Sequence, residues 1–165
     1  MKIFLLRHGM TARADNDLDR RLTNDGISVL KEVVGRRIPE MANVFQIHSG
    51  PMGRIQQTAI IAGEVIAYQG ELTVNESLTK LTRGEEIVAT LENIDLSSGD
   101  IVLVSHESSL CNLLTYLTNE DILMSNSSLT AIDIESWNKG AGKLLWQESP
   151  NSREIKRTSA FVDQF

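Results

Sequence analysis

At 165 residues, 41% hydrophobic and 23% charged, the chain has the composition of one ordinary globular domain. Sixteen basic residues against 22 acidic ones leave a net charge of −6, which argues against a long basic surface for nucleic acid or an anionic membrane. Any anionic ligand must then be held by local positive charge. Cys111 is the one cysteine, which rules out an internal disulfide and fits a reducing compartment. The apolar run Ile3-Phe4-Leu5-Leu6 is far shorter than the roughly 7–15 residues of a signal-peptide core. No stretch approaches the ~20 apolar residues of a membrane span. The expectation is a cytoplasmic protein with neither a nucleic-acid nor a membrane partner.

Strand-like and helix-like segments alternate along the chain. Residues 2–6 read as a short strand buried on both faces. Residues 11–21, rich in Asp and Arg, read as a loop. Thr23-Asn24-Asp25 looks like a helix start, and Ile27, Leu30, Val33 and Val34 recur at helical spacing toward Ile38-Pro39. Residues 44–49 form a second strand, broken by Gly50-Pro51. Ile55, Ala59, Ala62 and Ile66 then continue at helical spacing to about Gln69-Gly70. Residues 72–74 suggest a small strand, residues 85–94 a helix, and Ser97-Ser98-Gly99 a turn.

Ile101-Val102-Leu103-Val104 has the β-branched, continuously apolar look of a central parallel strand. Leu110, Leu113, Leu114 and Leu117 make the buried stripe of the helix after it. Residues 129–135 and 143–147, separated by Asn138-Lys139-Gly140-Ala141-Gly142, predict an antiparallel hairpin. The expected fold is α/β: a three-layer αβα sandwich with a mostly parallel central sheet and a C-terminal antiparallel hairpin. One domain is expected to span 1–150, with 151–165 a polar tail.

In such sheets ligands sit outside the carboxyl ends of the strands. The first strand ends at Arg7-His8, the second stops shortly before Arg54, and the third ends at His106. Two arginines and two histidines on one rim would make a compact cationic pocket. Arginine offers a planar fork of donors that matches phosphate oxygens and keeps its charge. At about 4 Å and an effective dielectric near 20, each charge pair contributes roughly 4 kcal/mol before desolvation. A phosphoryl group could be held this way without a metal, so no cofactor is expected. Histidine can act as a nucleophile through a neutral ring nitrogen. Gly9 would let backbone approach the anion closely.

These residues resemble a known family. Leu6-Arg7-His8-Gly9 is similar to the RHG signature of the histidine phosphatase superfamily, the phosphoglycerate mutase-like enzymes. The stretch from Ser49-Gly50-Pro51 through Arg54 to Gln57-Thr58-Ala59 is similar to its second block, S-S-P-x-x-R-x-x-Q-T-A, with Gly50 in place of the second serine. Val104-Ser105-His106 is similar to the third. Arg20-Arg21-Leu22-Thr23-Asn24-Asp25-Gly26 resembles the R-P-L-T-x-x-G block of the small SixA-type phosphohistidine phosphatases, with Arg21 in place of the proline. The resemblance reaches to about Pro150. It implies that His8 attacks phosphorus and is phosphorylated, and that water then hydrolyses the intermediate. Arg7, Arg54 and His106 would hold the phosphoryl oxygens, and Gly9 would be the close-approach position; Arg20 is a candidate substrate-binding residue beside them.

One departure bears on substrate. Many members carry a glutamate, in a block like L-x-E-x-x-x-G, that protonates the leaving oxygen. Lys80 falls at that place in Leu78-Thr79-Lys80-Leu81-Thr82-Arg83-Gly84, and Glu76, Glu85 or Glu86 are the alternatives. An alkoxide needs a proton to leave, whereas an imidazole departs neutral if its other nitrogen already carries one. A missing acid therefore favours an N–P substrate.

Simpler readings compete at several positions. His48, inside the second strand, reads as structural, and Cys111, on the apolar side of a helix, as core. One of Arg20 and Arg21 frames the pocket, or both are solvated loop charges. Trp137 and Trp146 read as packing. Three functions follow: a phosphohistidine phosphatase acting on a phosphorylated histidine-containing protein and releasing inorganic phosphate, a small-molecule phosphomonoesterase or mutase, or a non-catalytic phosphoryl-binding module. The intact set Arg7, His8, Arg54 and His106 argues against the last.

Overall fold

β1 (Lys2–Arg7) buries Ile3, Phe4, Leu5 and Leu6 completely, and alternate residues face opposite sides of the sheet. Ile3 and Leu5 enter one apolar cluster, Phe4 and Leu6 the other. An unbroken apolar run is what a strand covered on both faces requires. β4 (Asp100–Ser105) repeats the pattern, with Ile101 and Leu103 on one side and Val102 and Val104 on the other. The structure, a computed structural model, describes residues 1–150 and the backbone of 152–156.

The remaining strands are β2 (Val44–Ser49), β3 (Leu72–Val74), β5 (Leu129–Ile134), β6 (Gly142–Ser149) and β7 (Ser152–Lys156). The sheet order is β3-β2-β4-β1-β5-β6-β7. From β3 to β1 the neighbours are parallel, and from β1 to β7 each is antiparallel to the one before. Helices α1 (Asn24–Gly35) and α2 (Gly53–Val65) cover one face with Leu30, Val33, Ile55 and Ala59. Helices α3 (Gly84–Leu91) and α4 (Glu107–Thr118) cover the other with Ile87, Leu91, Leu110 and Leu114. The three-layer sandwich and its antiparallel hairpin are as the sequence predicts. No helix among the described residues is long and apolar enough to cross a membrane.

Helix starts follow the sequence more closely than helix ends. Thr23 caps α1, its hydroxyl accepting from the Gly26 amide at 2.9 Å. α1 stops at Gly35, short of Ile38, and a 3-10 turn (Pro39–Met41) follows, since proline cannot continue the ladder. α2 ends at Val65 rather than near Gly70. There Ala67 takes a left-handed φ of 55°, Tyr68 N donates to Gly63 O at 2.8 Å and Ala67 N to Glu64 O at 3.1 Å. That pair of bonds is a Schellman cap built on alanine, so no glycine marks it in the sequence. The polar tail expected from residue 151 lies outside the described residues, except that the backbone of β7 pairs with β6.

The hairpin is fastened to α1 by charge. Glu148 on β6 is 4% exposed and accepts from Arg36 Nε and Arg37 Nε, each at 2.5 Å. The Arg37 guanidinium also lies 4.0 Å from the Trp146 ring centroid. Removing one partner of a buried pair leaves the other charge uncompensated. Glu148→Ala is therefore expected to cost about 3–5 kcal/mol in urea unfolding. Glu32→Ala, which removes only the exposed partner of Arg36, should cost less than about 1 kcal/mol.

Candidate active site

Sheet order brings the motif residues together. β4 lies between β1 and β2, and all three run the same way. Arg7 and Ser105 are register partners, so the next residue of each strand emerges beside the other. The His8 and His106 rings meet edge-on, with centroids 5.7 Å apart and planes at 80°. Arg54 arrives from the first turn of α2, directly after β2, and is 2% exposed. Together with Arg7, Arg20, Lys80, Glu107, Ser108 and Asn126, these side chains line a cavity of about 330 Å³.

The second sequence block also supplies the bolts. Thr58 Oγ1 donates to Arg54 O at 2.8 Å and accepts from the Gly9 amide at 3.2 Å, tying α2 to the Arg7-His8-Gly9 turn. Gln57 Oε1 accepts from the Leu22 amide at 2.9 Å and fixes the end of the loop before α1. Gly50, where the family pattern has serine, has no room for a side chain: a Cβ there would collide with Leu78 O. The same carbonyl accepts from Ser105 Oγ at 2.8 Å. Gly9 is not on the cavity wall. Its amide is taken by Thr58, and the side chain it lacks makes room for Leu22 at 3.2 Å.

Of the two loop arginines, Arg20 lines the cavity, donating to Thr11 Oγ1 and pairing with Asp17 at 3.4 Å. Arg21 instead donates to Leu18 O and Arg20 O and packs over Gly53. Lys80 also lines the cavity, its Nζ 3.5 Å from Asp17 Oδ2. Glu85 and Glu86 pair with Arg83, away from the cavity, and Glu76 does not line it. His48 is buried and bonds Gln46 Oε1 at 2.9 Å. Cys111 packs against the α3–α4 cluster, and its thiol donates to Ile122 O at 3.2 Å.

Two acidic residues escape the sequence reading. Asp17 meets Arg54, with Oδ2 at 3.3 Å from Nη2 and its backbone oxygen at 3.0 Å from Nη1. Glu107 meets Arg7 at 3.3 Å and accepts from the Met124 amide at 3.3 Å. Position right after His106 could have suggested Glu107. Nothing local suggests Asp17, which lies far in sequence from Arg54 and Lys80.

Positive charge is concentrated around the cavity. Arg7 Nε, Arg20 Nε, Arg54 Nε and His106 Nε2 are buried with no hydrogen-bond partner among the described residues. Buried polar groups are normally satisfied, and these three guanidinium nitrogens and one ring nitrogen belong to residues around one cationic cavity. Burial pushes the His8 imidazole down to about 4; the bond to Gly9 opposes this, and the charges of Arg54, Arg7 and Arg20 add to it. His106 is likewise at about 4, through burial and then the charges of Arg54, His8 and Lys80. Both rings are neutral near pH 7. His8 Nδ1 lies 2.8 Å from Gly9 O, which can only accept, so Nδ1 carries the proton and Nε2 keeps a lone pair.

No family model matches the chain, and no curated protein matches it. Solved structures do. The protein histidine phosphatase SixA complexed with tungstate aligns with a TM-score of 0.82 at 21% identity, covering 91% of this chain and 97% of that one. A protein from Agrobacterium tumefaciens assigned as the phosphohistidine phosphatase SixA aligns at 0.74 and 19%, covering 90% and 97%. A phosphoserine phosphatase variant from Entamoeba histolytica, in complex with phosphoserine, aligns at 0.60 and 18%, covering 91% and 98%. The chain has the histidine phosphatase fold. Its form is the short, SixA-type one.

The lowered histidines link folding to pH. An unfolded chain takes up protons near 6.5, while folded His8 and His106 resist them down to about 4. Burial lowers His48 in the same direction. The unfolded state thus binds more protons between those values, and stability falls as pH drops through the window. Each histidine contributes a slope of up to roughly 1.4 kcal/mol per pH unit. Urea unfolding from pH 7 to pH 4 is expected to show this decline, and His106→Asn to flatten it.

Proposed function

We propose that the protein is a phosphohistidine phosphatase that removes phosphoryl groups from histidine-containing phosphotransfer proteins in the cytoplasm, through a phospho-His8 intermediate. The observation that carries this reading is the His8 tautomer beside the unpartnered donors: a free Nε2 lone pair faces a cavity lined by Arg7, Arg20, Arg54 and His106.

His8 Nε2 attacks phosphorus while the substrate's N–P bond breaks, and water then attacks phospho-His8 to release inorganic phosphate. Arg7, Arg20 and Arg54 meet the charge on the equatorial oxygens, so the reaction is proposed to run without a metal. His106 Nε2, unpartnered and buried, is the neutral donor among them when it carries the ring proton. The fold's phosphatase neighbours, including the tungstate complex of SixA, support the same chemistry.

Lys80 on the cavity wall, where an ester hydrolase of this fold would carry its acid, supports an N–P substrate over an O–P one. Glu107 favours the second reading, a phosphomonoesterase, since it is the one carboxylate lining the cavity among the described residues. Its oxygens, however, accept from Arg7 and the Met124 amide and so are committed as acceptors rather than as a source of a proton.

The test compares a phosphohistidine-bearing phosphotransfer protein with p-nitrophenyl phosphate, both in EDTA. Rapid release from the first and slow release from the second is the expected result, with phosphate trapped on His8 after an alkaline quench. His8→Ala should lose at least about 1,000-fold, and Arg54→Ala roughly 100-fold or more. Fast ester hydrolysis that Glu107→Gln abolishes would establish the second reading. Phosphate binding without turnover of either substrate would leave a binding module.

A further inference from the structure

Asp17 belongs to none of the sequence blocks, yet it touches more of the cavity's cations than any block residue. It opens a 3-10 turn (Asp17–Asp19) held by the Asn16 side chain, which accepts from Leu18 N at 3.0 Å. Its Oδ2 lies 3.3 Å from Arg54 Nη2 and 3.5 Å from Lys80 Nζ, and its Oδ1 lies 3.4 Å from Arg20 Nη1. All three cations line the cavity, and Asp17, 47% exposed, lines the hollow that adjoins it across Arg20, so its carboxylate stands on the outer side of those cations. Desolvation is the largest single influence and raises its pKa, but Arg54, Lys80 and Arg20 together outweigh it and hold the group below the ordinary carboxylate range.

We propose that Asp17 determines specificity for the N–P bond: it accepts the N–H on the far nitrogen of the substrate's phosphohistidine ring and keeps that ring protonated during transfer. The inference rests on the phosphohistidine reading and deepens it. In the protonated substrate, the nitrogen bonded to phosphorus belongs to a ring that bears a positive charge. As His8 Nε2 bonds to phosphorus, the electron pair of the N–P bond returns to that ring nitrogen. The ring leaves as neutral imidazole with its N–H in place. No proton moves in the step, so no acid is needed at Lys80's position.

The carboxylate matters because its surroundings work the other way. Arg54 from α2, Lys80 from the loop after β3, and Arg20 from the loop after β1 all favour the unprotonated ring, as does Arg7 deeper in the cavity. Glu107, facing the cavity from α4, is committed to Arg7 and the Met124 amide. His106 is neutral. Asp17 is itself engaged by Arg54, Lys80 and Arg20, but at 47% exposed it keeps lone pairs open toward solvent, and it shares the outer hollow with Asp15 and Arg13.

The experiment measures kcat/KM against pH for wild type, Asp17→Asn and Asp17→Glu on a phosphohistidine-bearing protein and on p-nitrophenyl phosphate. Both rates should fall in Asp17→Asn, because Arg54 loses a partner, but the phosphohistidine rate by at least about tenfold more. The alkaline limb of the phosphohistidine profile should also move down by about one pH unit, and Asp17→Glu should move it back. Equal losses on both substrates, or a limb that stays put, would overturn the inference and reduce Asp17 to a support for Arg54. Wild-type hydrolysis of the ester alone would overturn the phosphohistidine reading itself, and this inference with it.

Discussion

Residues some 50 and 100 positions apart reach one cavity because β4 runs between β1 and β2 with all three strands pointing the same way. The parallel register of Arg7 with Ser105 places His8 beside His106, and the short step from β2 into α2 brings Arg54 to the same edge. A sheet of this kind gathers groups at its carboxyl edge because each strand there hands over to a loop or helix start. Thr58, Gln57 and Ser105 then lock those hand-overs to one another through hydrogen bonds at 2.8–3.2 Å. Loss of that register would scatter the site even if each motif kept its local shape.

Concentrating positive charge in this way has a cost that the fold meets in two ways. The histidines stay neutral, because burial and the neighbouring guanidinium groups both disfavour their protonation. The cations are given anionic or carbonyl partners on their outer side: Arg54 and Arg20 on Asp17, Arg7 on Glu107 and the Met124 carbonyl. Their Nε atoms and His106 Nε2 are left without partners among the described residues. The arrangement orients the guanidinium forks around the cavity before any ligand arrives, which is the preorganisation the proposed transfer would use. The scaffold beneath can bear this strain because both faces of the sheet are sealed by apolar clusters of comparable extent.

Much of the fold was legible because the physics behind it is local. Ile3–Leu6 and Ile101–Val104 are apolar without interruption, and only strands covered on both faces need that pattern. Thr23 announces α1 because a cap acts within three residues. The end of α2 was not legible: its left-handed residue is Ala67, and alanine carries no turn signal. The RHG turn, Arg54 and His106 could be picked out because each stands at the end of a recognisable strand or block. At Gly9 the sequence suggests close approach of an anion, whereas in the structure the Gly9 amide is taken by Thr58 and the space it leaves is filled by Leu22.

By itself the sequence determined which chemistry was available, two histidines and a set of arginines at strand ends, and which layers would hold them. The contacts of Asp17 with Arg54 and Lys80, the pairing of Glu107 with Arg7, the choice of Arg20 over Arg21 and the protonated nitrogen of His8 were decided only in three dimensions. Each of these depends on a distance between side chains from different elements. Coulombic and hydrogen-bond energies are set by such distances and by burial, and neither is written in the spacing of residues along a chain.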